Sequence, residues 1–467
     1  MLANIANTFA NCFKIPELRS RIFYTIAVLA ICRVVALIRI PGIDGIELAR
    51  FLSSRPADSS SLLGLYNSFT GFAMEKCAIG ALGIMPYISA TIIIQLLTAV
   101  VPQLSKLARE EGGRTKLIQY GRYFTVVLCV VQGYLMTLGW EHPDKLFGGD
   151  IGKLILPAYS EGWMIWVFRF QTVLLLTTGT MLLMWLGEQI TERGIGNGIS
   201  LVITIGILAG LPQAAQGLLD MFFGPQAAQS KFKLGEAAIL LVILAVVIAS
   251  VIAVTQAQRK IPVQYAQRAV GRKVFAGGTS FMPLKVNYAG VMPIIFASAI
   301  LMFPQKIFQG LAAAVSVPFL KSTFTWLEIN LNHGAAFYLV VYSLMILFFS
   351  YFWVATQFNE LQISDDLKKN GGYIPGVRPG QATCDYLHHA MTRITLAGAV
   401  FLVIVAVIPT LLYGWLGIPA AVGQFFGGTS MLITVGVVLD TMRQMESHLL
   451  MRHYDGFLKK GRVKGRF

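Results

Sequence analysis

The sequence predicts an all-α, polytopic membrane protein with ten transmembrane helices. Three observations carry this: ten apolar runs of bilayer length, basic residues gathered on alternate loops, and no separate soluble domain between the runs. A helix crossing hydrocarbon needs ~20 mostly apolar residues. Runs that meet this fall near 22–40, 77–101, 118–138, 163–187, 196–212, 235–258, 288–308, 335–357, 394–414 and 420–441. Backbone in lipid is satisfied only in helices or closed barrels. The stretch Ala237 to Val254 is continuously apolar and does not alternate, so helices are predicted.

Charge orients the spans. With Met1 inside, the inner segments hold 26 Lys and Arg and the outer segments 9, which is the positive-inside pattern. The net charge of +15 is therefore concentrated on one face, where it also attracts anionic lipid. Of five cysteines, Cys12 and Cys384 fall on the inner side and Cys32, Cys77 and Cys129 lie in or beside spans. No pair meets in an oxidising compartment, so reduced thiols are expected. No short apolar core with a small-residue cleavage site opens the chain, and the first span is expected to remain.

Catalysis finds no support. H-E-x-x-H, G-x-x-x-x-G-K-[ST] and G-x-S-x-G are absent, and the six histidines lie in loops or near span ends. No catalytic residue, metal site or cofactor is predicted, and the protein is not expected to be an enzyme. Arg33, Arg169 and Asp440 sit near span ends, where snorkelling accounts for them. A secondary transporter would want a polar midplane site, and an intramembrane protease a serine–histidine or paired-aspartate centre. Neither is visible in the sequence.

Leu62 to Glu75 is too short to cross and too apolar for a free loop. It suits a re-entrant half-helix buried in protein, or an interfacial helix. Gly206 and Gly210 form a small-xxx-small pair, the pattern of close helix packing more than of a hinge. Pro86, Pro293 and Pro409 are expected to kink the second, seventh and ninth spans. The 259–287 loop carries Arg259, Lys260, Arg268, Arg272, Lys273 and Lys285 with no acid. In the 358–393 loop, Arg378 stands between Pro375-Gly376 and Pro379-Gly380, the chemistry of a tight turn.

Four segments, Leu82 to Thr98, Trp185 to Ser200, Arg259 to Tyr265 with Pro283 to Asn287, and Leu367 to Gly380, resemble the SecY family, the channel subunit of the bacterial protein translocase. The likeness runs from about Arg21 to Arg466 in the family's order. It implies a channel in the plasma (inner) membrane, both termini cytoplasmic, that moves unfolded secretory polypeptides and releases apolar segments sideways into lipid. It implies two inverted five-helix halves, approximately 1–215 and 216–467, forming one channel domain. It carries a pore ring onto Ile84, Ile88, Ile199, Ile203, Ile295 and Ile433, with Thr91 and Gln95 in the lateral gate or vestibule. Residues Leu65, Asn67, Phe69 and Gly71 fall in the plug, whose pattern this chain leaves at Phe72 and Met74.

The resemblance assigns docking of the SecA ATPase or of the ribosome, including its RNA, to Arg259, Lys260, Arg268, Arg272, Lys273 and Arg378. SecE and SecG are the implied membrane partners, and the energy comes from SecA or the ribosome. Physically, an aliphatic ring dewets when empty and offers a passing chain no polar site to hold it. Ile84 and Ile88, like Ile199 and Ile203, are spaced i,i+4 and share a helix face. Basic loops attract RNA phosphates or acidic surfaces.

Overall fold

The computed structural model describes residues 15–45, 48, 62–110, 112–143, 154–159, 162–223, 234–265, 268–270, 273–275, 278–315, 317–331, 335–416 and 429–460. Cys12 and Arg272 lie outside these residues, as do the side chains of Leu65, Arg268 and Lys273. Each of the ten apolar runs meets a helix. Five described helices are long and apolar enough to cross a bilayer. A sixth span results if Met85–Val100 and Pro102–Ala108, which meet at 105°, count as one.

Packing groups residues 1–217 with 433–467 into one compact unit and residues 218–432 into another. The first unit contains α1 (Pro16–Val35), α2 (Leu62–Phe69), α3 (Met85–Val100), α4 (Pro102–Arg109), α5 (Gly113–Glu141), α6 (Met164–Arg193), α7 (Gly198–Leu208) and most of α8 (Leu211–Phe223). The greater part of the final helix also belongs to it.

Helices α5 and α6 form its frame. Arg122 makes a two-pronged ion pair with Glu188 at 3.1 and 2.9 Å, and Arg169 makes another with Glu141 at 2.7 and 2.8 Å. Arg122 and Glu141 stand nineteen residues apart on α5, about 28 Å at ~1.5 Å per residue. The two pairs therefore bracket a hydrocarbon core of ~30 Å. Between them the helices bury Cys129 and Leu176. The hydroxyls of Thr125 and Thr137 donate to carbonyls one turn back, at 2.7 Å each, so neither is left unpaired in lipid.

Two prolines act differently from the expectation of kinks. Pro86 and Pro293 each occupy the first turn of a helix, where no intrahelical N–H is lost, so they open helices and do not kink them. The second apolar run is helical only from Met85. Residues 77–84 turn instead, with Cys77 and Gly83 left-handed.

The second unit holds α9 (Leu234–Gln256), β1 (Gln258–Tyr265), β2 (Arg268–Val270), β3 (Lys273–Phe275), β4 (Thr279–Lys285), α10 (Met292–Ala314), α11 (Pro318–Asn330), α12 (Ala336–Gln357), α13 (Glu360–Lys369), β5 (Gly372–Tyr373) and α14 (Gln381–Leu416). The last helix, α15 (Thr429–Lys460), starts in this unit and continues in the first from Ile433. The 259–287 loop is a long antiparallel hairpin. β1 pairs with β4 from Gln258↔Lys285 to Gln264↔Thr279, and with β5 at Gln264↔Tyr373 and Tyr265↔Gly372. Ile261, Val263 and Leu284 point inward. Ile261 and Leu284 share a core with Val354, Phe358, Ile374 and Leu387 at the helix ends. The two basic loops are thus one structure: a sheet ordered β4-β1-β5, seated on α12 and α14. Cys32, Cys77, Cys129 and Cys384 are buried free thiols.

Candidate functional site

The turn between α6 and α7 explains one of the four motifs. A Cβ at Gly198 would overlap the carbonyl oxygen of Gly187, and one at Gly194 would meet the Ile190 oxygen at 2.7 Å, so only glycine allows the approach. The exposed N–H groups of this reversal are met by side chains from three helices. Ile195 N–H donates to Thr25 Oγ1 of α1 (3.1 Å), Gly196 N–H to Gln444 Oε1 of α15 (2.9 Å), and Gly198 N–H to Thr191 Oγ1 of α6 (2.9 Å). Asn197 caps α7, accepting from the N–H groups of Ile199 and Ser200. Thr25, Thr191 and Gln444 hold this turn in place, and the sequence reading did not single them out. Of the groups that fix the turn, Asn197 alone carries a local signal, an Asn directly before an apolar helix.

This reversal orients the α7 isoleucines. Ile203 is buried, and the half-buried Ile199 leans on Gly187 of α6. Ile84 is the N-cap of α3, its carbonyl accepting from Ile88 N–H at 3.2 Å, and both side chains are buried. Ile433, on α15, is buried in the same unit. Ile295 belongs to the second unit, beside Phe296, whose ring stands edge-on to Trp353 at 5.2 Å and Phe349 at 5.9 Å. Thr91 faces Gly121 of α5 and returns its hydroxyl to the Tyr87 and Ile88 carbonyls, leaving no free polar tip. Gln95 buries its side-chain oxygen without a hydrogen-bond partner.

The segment after α1 folds back into the first unit. Helix α2 ends at Phe69, earlier than the half-helix to Glu75 that was expected. Gly71 N–H donates to Ser68 O (3.1 Å) and Phe72 N–H to Asn67 O (2.8 Å), the paired bonds of a Schellman cap with a left-handed glycine. Gly71 has φ +70° and Phe72 φ +65°. A left-handed phenylalanine costs ~1–2 kcal/mol, and surrounding contacts hold it there. Asn67 Nδ2 donates to Glu75 Oε2 (2.9 Å) while its Oδ1 accepts from Glu75 N–H (3.3 Å), closing the loop. Tyr66 OH donates to Leu82 O (3.3 Å).

Asn67, Phe69 and Met74 are buried. A Cβ on Gly206 would lie 3.1 Å from the Phe69 carbonyl, and one on Gly210 would lie 2.9 Å from the Phe72 ring. The small pair in α7 and just beyond it thus receives the re-entrant segment. Arg33, read from the sequence as snorkelling, instead donates from Nη1 to the Gly71 carbonyl at 3.1 Å.

On the sheet of the second unit, Arg259, Lys260 and Arg378 are exposed. Ile374-Pro375-Gly376-Val377 is a type II turn, with Val377 N–H donating to Ile374 O (3.0 Å) and Gly376 at φ +82°. Beyond it, Thr383 Oγ1 donates to the Arg378 carbonyl (2.9 Å) and Ser364 Oγ to the Gly380 carbonyl (2.7 Å). Arg378 makes no ion pair among the described residues. Its guanidinium stands free on a backbone fixed from both sides.

Apolar helices of membrane-spanning length, a folded-back half-helix in the first unit and a basic sheet in the second define a polytopic helical membrane protein. Residues 78–442 match the SecY family model. The chain is 44% identical to the protein translocase subunit SecY of Chlamydia trachomatis over 464 residues, covering 98% of this chain and 99% of that one. It is 40% identical to that of Escherichia coli K12, covering 96% of each. A solved protein-conducting channel superposes with a TM-score of 0.59 at 19% identity, covering 95% of this chain and 94% of that one. The chain belongs to the SecY family.

Proposed function

We propose that this chain is the protein-conducting channel subunit of a bacterial Sec translocase and not an enzyme. It passes unfolded secretory polypeptides across the inner membrane and releases apolar segments laterally into lipid. Family membership over nearly the whole chain carries the reading: relatives sharing 44% and 40% identity are protein translocase subunits. The physical features support it. Isoleucines at positions 84, 88, 199, 203, 295 and 433 form the aliphatic constriction, a ring that excludes water without gripping the substrate. Thr91 and Gln95 belong to the vestibule and lateral gate above it. The 62–75 segment is the plug.

The sheet faces the cytoplasm, as do both termini. Arg378, with Arg259, Lys260, Arg268, Arg272 and Lys273, receives SecA or the ribosome and its RNA, which supply the energy. SecE and SecG complete the membrane complex. The test is cysteine substitution at Ile88 and Ile203 with a translocation-arrested secretory chain. Crosslinks to both positions are expected, and their absence alongside crosslinks at lipid-facing Val127 would refute the pore assignment.

A further inference from the structure

We infer that Arg33 is the latch of the plug, a positioning residue that holds the re-entrant segment shut through one charge-assisted hydrogen bond to the Gly71 carbonyl. The inference deepens the proposed function and rests on reading 62–75 as the plug.

Three observations converge on this one peptide unit. Arg33 Nη1 reaches the Gly71 oxygen at 3.1 Å across 38 residues of sequence. Among the described residues no carboxylate pairs with Arg33, so the backbone carbonyl takes the place of a counter-ion. The nearest acid of the segment, Glu75, is engaged by Asn67 through both its side chain and its N–H. Gly206 of α7 packs against Gly71 on the same face as Arg33: a Cβ at Gly71 would lie 3.1 Å from the Gly206 Cα and would overlap the Arg33 guanidinium. Gly71 and Phe72 are both left-handed, a conformation that points the Gly71 carbonyl at Arg33 and that this chain segment does not favour by itself.

A charged guanidinium binds a carbonyl more strongly than a neutral donor does, and at the half-buried Arg33 less water competes than at an exposed site. If the segment leaves, Arg33 loses its partner and Gly71 its donor together. The bond therefore weights the equilibrium toward the seated plug, and the left-handed pair weights it the other way.

The experiment measures resting ion conductance of the purified complex, with its membrane partners, in planar bilayers. Arg33→Met keeps the stem and removes the donor, and it should raise resting conductance by roughly tenfold or more. Arg33→Gln, which removes the charge but keeps a polar tip, is the second variant and should move the same way. Deleting residues 62–75 provides the frame. In that background Arg33→Met should change nothing further, since a latch has no effect without its bolt. A leaky deletion with both Arg33 variants as tight as the parent overturns the latch. An added leak from Arg33→Met on top of the deletion overturns it too, by showing that Arg33 acts elsewhere. A deletion as tight as the parent overturns the plug reading itself.

Discussion

The docking proposed for Arg378 depends on how well its backbone is held, and two buried hydroxyls hold it. Thr383, 1% exposed, and Ser364, 3% exposed, donate to the Arg378 and Gly380 carbonyls at 2.9 and 2.7 Å. Replacing them as Thr383→Val and Ser364→Ala preserves most of the packing and removes both bonds. A neutral hydrogen bond contributes about 0.5–1.5 kcal/mol net. The Gly380 oxygen retains the N–H groups of Thr383 and Cys384 at 3.0 and 3.1 Å, and the Arg378 oxygen can turn to water. Each bond should therefore fall toward the middle of that range, so that losing both, about 2 kcal/mol, shifts the ratio of framed to unframed tips by roughly thirtyfold. The turn at Pro375-Gly376 remains, so the apparent affinity falls by less, roughly three- to thirtyfold.

The assay is binding of SecA to vesicles holding equal amounts of complex, with Thr383→Ser as the conservative control. The double variant should bind weakly, Thr383→Ser like the parent, and Arg378→Glu hardly at all. Parent-like binding by the double variant, beside a failed Arg378→Glu, refutes the positioning argument. Parent-like binding by Arg378→Glu removes Arg378 from the docking site altogether.

Two further predictions concern the frame and the orientation. Arg169→Met strands the Glu141 carboxylate, 3% exposed, and an unpaired buried charge costs about 3–5 kcal/mol. The solubilised complex should melt markedly lower, and Glu141→Gln in the same chain should restore most of the loss; an unchanged melting temperature would show that the pair is not structural. For orientation, cysteines at Phe281 (60% exposed) and Trp163 (74% exposed) should differ toward an impermeant thiol reagent in cells with a permeabilised outer envelope. Trp163→Cys should be labelled and Phe281→Cys protected, and the reverse pattern inverts the topology.

The spans were legible because lipid demands it. A crossing helix has no polar face to hide, so its sequence is a continuous apolar run, and all ten runs meet helices. Their boundaries were less legible, since buried irregular chain such as 77–84 is as apolar as the helix it precedes. The basic 259–287 loop was read for charge. Its alternation of Ile261 and Val263 with exposed neighbours was nonetheless present, and it is the period of a strand with one buried face. That β5 would join the same sheet depended on Gln264 meeting Tyr373, a long-range pairing that no local pattern encodes. Arg33 is the instructive case. Snorkelling needs only a helix end, which the local sequence supplies, whereas its actual partner is the carbonyl of a glycine 38 residues away. A backbone acceptor leaves no mark in a sequence.

The geometry of α7 joins the proposed seal to the proposed plug. Ile199, Ile203, Gly206 and Gly210 follow one another at i, i+4, i+7 and i+11. At ~100° per residue the four fall within about 60° of arc. One stripe thus presents two isoleucines and then two glycines, although the helix itself ends at Leu208. The glycine end is occupied, with Gly206 against the Phe69 carbonyl and Gly71, and Gly210 against the Phe72 ring. A re-entrant segment seated there stands end-on to the isoleucines, not among them. The two proposed barriers then lie in series along one face, each made by different side chains. Weakening the latch at Arg33 therefore leaves the isoleucines as the barrier, and the leak expected of Arg33→Met means that this ring by itself does not seal the resting channel.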